Sequence, residues 1–97
     1  MEFLVEAKTA DWVRSKDRAN LLAVAQRLRV SYGKDKVSWS ETAKNTKDQD
    51  TFSILLKVNA KSRPQALKDV DTIVSAELAK QYGNAFPPRM RYITTSG

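Results

Sequence analysis

The chain contains no cysteine and no histidine. Without cysteine there is no disulfide, no thiolate nucleophile and no zinc–sulfur site. A disulfide-stapled mini-protein is therefore excluded. Without histidine the side chain that titrates nearest neutral pH is missing, and with it go Ser-His-Asp and Cys-His chemistry and imidazole-bound metals. The Asp and Glu residues form no cluster suited to a carboxylate-only metal site. Long hydrophobic runs are also lacking. The longest apolar stretches reach four or five residues, far short of a membrane span. The first residues, MEFLVEAK, lack the basic start and small-residue cleavage site of a signal peptide. The expectation is a chain located in the cytoplasm or carried in a larger assembly. No glycine-rich phosphate cradle is present. The expectation is a chain with no cofactor, no metal, no small-molecule substrate and no enzymatic activity.

What is present is an ordinary globular composition. Of 97 residues, 41% are hydrophobic and 29% charged, with 17 Lys or Arg against 11 Asp or Glu, a formal charge of +6. That length suits one domain spanning residues 1–97 and excludes a Rossmann enzyme or a TIM barrel.

Hydrophobic periodicity predicts six elements. Residues 2–8 alternate as a strand, with Phe3, Val5 and Ala7 on one side. Residues 17–32 carry a helical stripe of Leu21, Val24, Ala25, Leu28 and Tyr32, stopped by Gly33. Thr9, Asp11 and Ser15 are candidate caps for this helix. Residues 36–43 read as a second strand through Val37 and Trp39. Residues 41–50, ETAKNTKDQD, lack any large apolar side chain and read as a flexible hairpin loop. Residues 51–61 alternate most clearly, with Phe52, Ile54, Leu56, Val58 and Ala60 on one side. Ser62 and Pro64 start a second helix over 63–82, whose stripe is Leu67, Val70, Ile73, Val74 and Leu78. It closes at Tyr82-Gly83, Pro87 and Pro88 stop any continuation, and residues 89–95 form a last strand.

The order β-α-β-β-α-β matches the ferredoxin-like plan. It is an α+β two-layer sandwich with two helices on one face of an antiparallel four-stranded sheet. Right-handed crossovers give the strand order 4-1-3-2.

Parity then sorts side chains between the two sheet faces. The open face receives Lys36, Ser38, Ser40, Leu4, Glu6, Lys8, Leu55, Lys57, Asn59, Lys61, Arg89, Arg91 and Ile93. Such a basic face suits a phosphate backbone; the plain alternative is a wet polar sheet face. Phe3, Trp39, Phe52 and Tyr92 point inward, so the face lacks the stacking aromatics of RNA-recognition sheets. Arg14 and Arg18, one turn apart, form a second basic patch suited to phosphates or simply to solvent. Trp12 is a candidate partner anchor or a lid on the core.

Two functions fit these features. One is a small protein-interaction or assembly module that binds itself or a larger complex, in the manner of accessory or viral subunits. The other is a nucleic-acid-binding domain that touches backbone through Lys and Arg. The modest charge and the missing stacking aromatics favour the first. The partner-binding candidates are Trp12, Arg14, Arg18, Lys57, Lys61, Arg89, Arg91 and Ile93. The last strand is an edge in the 4-1-3-2 order and is guarded only by Arg89 and Arg91. Ile93 is expected to supply one of its outward N–H groups.

Overall fold

A computed structural model of the chain describes residues 1–10, 13–42 and 51–96. The elements run β1 (Glu2–Thr9), α1 (Ser15–Tyr32), β2 (Val37–Thr42), β3 (Thr51–Asn59), α2 (Arg63–Tyr82) and β4 (Met90–Ser96). The four strands form one antiparallel sheet in the order β2-β3-β1-β4, the expected ferredoxin-like arrangement.

Alternation along the central strands drives the layering. Phe3, Val5 and Ala7 of β1 and Phe52, Ile54 and Leu56 of β3 are buried, and they meet Leu21, Val24, Ala25 and Leu28 of α1 and Val70, Val74 and Leu78 of α2. Both helices therefore cover one face. Burying an aliphatic or aromatic side chain of this size stabilises by about 1.5–3 kcal/mol each, which is why so short a chain can close a core without disulfides.

Several boundaries differ from the sequence expectation. α1 begins at Ser15, two residues early, behind an Arg14 N-cap that makes no side-chain cap bond. Thr9 is no cap; it is the last residue of β1, where its buried hydroxyl accepts from Phe52 N–H at 3.1 Å. Asp17 lies in the first turn of α1, favourable to the helix dipole, and accepts from the Tyr82 hydroxyl at 2.8 Å. Tyr32 leaves the buried stripe and is 49% exposed, lining an open cleft with Val58 of β3 and Ile73 of α2. Glu41 and Thr42, where the expected strand 36–43 and loop 41–50 overlap, belong to β2, and Thr42 pairs with Thr51. The rest of that loop, 43–50, lies outside the described residues, as does Trp12.

β3 stops at Asn59 rather than at 61. Beyond it the Met1 amine and carbonyl bond with the Ala60 carbonyl and N–H, and the chain then turns into the Ser62 cap. Ser62 accepts from Gln65 N–H as expected of an N-cap. Facing polar side chains tie the two helices together. Arg27 donates to Glu77 at 3.1 Å and to Gln81 at 2.7 Å, and Gln81 donates to Asn20 at 2.8 Å. Among the described residues no helix is long and apolar enough to cross a membrane.

Candidate functional site

The sequence-derived candidates fall on different surfaces. Arg14 and Arg18 sit at the start of α1, in the helix layer, and Arg18 approaches the Glu41 carboxylate at 3.7 Å. Lys57, Arg91 and Ile93 lie on the open face, with Arg89 just before β4. Lys61 has left the sheet for the turn before α2. The seven described positions do not converge on one site, and Trp12 lies outside the described residues.

The open face is less uniformly basic than parity suggested. Glu2 and Glu6 both lie on it. Glu2 holds Lys36 at 3.2 Å, and Glu6 accepts from Ser53, which is only 4% exposed, at 2.7 Å. The cations of this face form two facing pairs at opposite ends of the sheet: Lys8 stands directly opposite Arg91 across the β1–β4 ladder, and Lys36 opposite Lys57 across the β2–β3 ladder. Like charges in that position repel. At the middle of the face, Glu6 is paired with Leu55 on one side and Ile93 on the other.

At the β2 edge one outward N–H is taken up within the chain, and side chains of α1 lie against the helix side of the strand. Val37 N–H donates to Gly33 carbonyl, the Arg29 guanidinium lies 5.4 Å over the Trp39 ring, and Arg18 reaches Glu41. None of the described residues pairs with the outer side of β4.

Ladder geometry fixes which groups β4 offers. Ala10 N–H donates to Arg89 carbonyl, and the register pairs Lys8 with Arg91 and Glu6 with Ile93. In an antiparallel ladder, bonding pairs alternate with non-bonding pairs. Arg89, Arg91 and Ile93 therefore turn their backbone groups toward β1, while Met90, Tyr92 and Thr94 turn theirs outward. This corrects the expectation for Ile93. Its N–H is spent inside the sheet, and only its side chain, 46% exposed, faces solvent. The same alternation runs through the sheet: Met1 bonds with Ala60, and Lys57 N–H with Lys36 carbonyl.

Two apolar features accompany this edge. A groove of about 310 Å³ runs between α2 and β4, lined by Leu78, Pro87, Pro88, Met90 and Tyr92 among others. Phe86, in the connection just before it, is 96% exposed. Sequence reading passed over Phe86 although the run Phe-Pro-Pro was visible, because no periodic element claims it. In the groove wall, burial foremost and the Asp71 carboxylate beside it push the Tyr92 phenol up to about 12, against the opposing effect of Ser75. The phenol therefore remains a neutral hydrogen-bonding group at physiological pH. No group of three or more metal-ligating side chains occurs among the described residues. No protein family, curated protein or solved structure matches this chain.

Proposed function

We propose that the protein is an assembly module that associates with further copies of itself by adding a strand at the outer edge of β4. One observation carries this reading. Met90, Tyr92 and Thr94 turn their N–H and C=O groups outward, and no described residue takes them up. Soluble proteins commonly blunt such an edge with proline, an inward-pointing charge or a covering loop, since an open edge is a template for another chain. At the outer edge of β2 the Gly33 carbonyl takes the Val37 N–H, whereas β4 has only Arg91 within the strand and Arg89 before it as guards. The adjoining groove and exposed Phe86 supply apolar surface for a strand to cover. The test is sedimentation velocity over about 10 µM to about 1 mM, a span that brackets weak interfaces. A rising mass supports the reading, and a monomer throughout refutes it.

The Lys8–Arg91 pair supports a second reading, contact with a nucleic-acid backbone. A phosphate between these two cations would relieve their repulsion. The two readings respond oppositely to salt. Backbone binding weakens steeply as salt rises, whereas association of two basic chains strengthens as their repulsion is screened. Titration of a mixed-sequence oligonucleotide at two ionic strengths decides the second reading.

A further inference from the structure

We infer that the partner strand is β4 of one second copy, antiparallel across a two-fold axis at Tyr92, so that the two sheets close into one eight-stranded sheet. The inference rests on the edge reading above and adds its symmetry and register.

Symmetry comes first. Pairing β4 of one copy with β2 of the next would propagate an open fibre, and the Gly33 carbonyl already takes the Val37 N–H there, so that β2 offers two outward residues, Trp39 and Glu41, to the three of β4. The remaining pairing, β4 with β4, is isologous and closes after two copies.

Register follows from bonding and charge. Centring the axis on Arg91 would face one Arg91 with the other. Centring it on Met90 would face Arg91 with Arg89 of the second copy. Both set like charges directly opposite, which destabilises a strand pair. Centring on Ile93 would set Met90 against Ser96. A bulge precedes that residue, and its ladder partner is Leu4, so its backbone groups turn back to β1. Met90 would then be left unpaired.

Centring on Tyr92 leaves nothing outstanding. Tyr92 pairs with Tyr92, Met90 with Thr94 and Thr94 with Met90, so all three outward residues of each copy are used. On the open face, Arg91 falls opposite Ile93 of the second copy rather than opposite a cation. On the helix side, Met90 and Tyr92 of each copy extend over the groove lined by Leu78, Met90 and Tyr92 of the other.

The absence of cysteine makes the register directly readable. Arg91 and Ile93 are exposed, so Arg91→Cys and Ile93→Cys leave the core intact. Facing residues of a non-hydrogen-bonded antiparallel pair lie about 4.5 Å apart at Cα, within the span of a disulfide. Each variant is oxidised alone, and then the two are oxidised as an equimolar mixture, with Lys68→Cys on the exposed side of α2 as the collision control. The expected result is a disulfide-linked dimer in the mixture, above the level of the control and of either variant alone. Cross-linking of Arg91→Cys alone would place the axis at Arg91, and cross-linking of Ile93→Cys alone would place it at Ile93. Either result overturns the register. If the wild type associates by sedimentation but the mixture gives no excess disulfide, the two-fold pairing falls and the edge reading stands. If the wild type does not associate, the edge reading itself falls.

Discussion

Two proline substitutions at neighbouring positions should have opposite consequences. Ile93 N–H faces Glu6 within the β1–β4 ladder, whereas Thr94 N–H faces outward. Ile93→Pro removes a ladder bond and strands the carbonyl of Glu6. A lost bond is worth about 0.5–1.5 kcal/mol and an unsatisfied acceptor about 1–3 kcal/mol. The fold should therefore lose about 2–4 kcal/mol, a fall in Tm of roughly 10–30 °C for a domain of this size. Thr94→Pro removes no internal bond. Its cost to the fold is confined to the tighter backbone angle, about 1 kcal/mol or less. In the two-fold pair, however, it deletes one bond on each side of the axis. At about 0.5–1.5 kcal/mol per bond the dissociation constant should rise roughly 5- to 150-fold. Circular dichroism melts report the first effect and sedimentation the second. The reversed order, with Thr94→Pro unfolding the chain and Ile93→Pro leaving it intact, would show that the ladder alternates the other way and would refute the edge argument.

Ile93→Lys should leave the melting curve nearly unchanged, since the introduced ammonium would lie beside the Glu6 carboxylate. It should weaken association about tenfold by facing Arg91 of the second copy; unchanged sedimentation would count against the register. Leu56→Asp should abolish the folded far-UV spectrum, because it buries an unpaired charge in a central strand where Leu56 is fully enclosed. Stability should also decline at alkaline pH. The Tyr92 phenol titrates at about 12 in the fold and at about 10 in the unfolded chain. Its contribution is complete below pH ~10 and is lost as pH rises through about 12. Urea midpoints measured across that window should fall, and less so for Tyr92→Phe. A wild-type midpoint independent of pH there would contradict the burial argument.

The layout of the fold was legible because each element buries one face at a single period. Phe52, Ile54 and Leu56 gave β3 its face; Val70, Val74 and Leu78 gave α2 its stripe. Handed crossovers then fixed the strand order. Features that depend on another segment were not legible. Lys61 continues the alternation of β3, but the chain has already turned toward the Ser62 cap of α2. Tyr32 continues the stripe of α1 but stays half exposed in a cleft beside Lys57, Val58 and Ile73. Arg14 and Arg18 share a charge with Arg91 and nothing else, since they stand in the helix layer. The direction of each β4 amide was hidden for the same reason. Side-chain parity follows from one strand alone, while the parity of the hydrogen bonds needs the register against β1.

Amide hydrogen exchange at β4, followed as a function of protein concentration, tests the proposed interface most directly. The amides of Arg91 and Ile93, bonded within the sheet, should exchange slowly at every concentration. Those of Met90, Tyr92 and Thr94 should exchange fast when the protein is dilute and become protected together as it is concentrated. Exchange at these three positions that does not change with concentration would contradict the edge as the site of assembly.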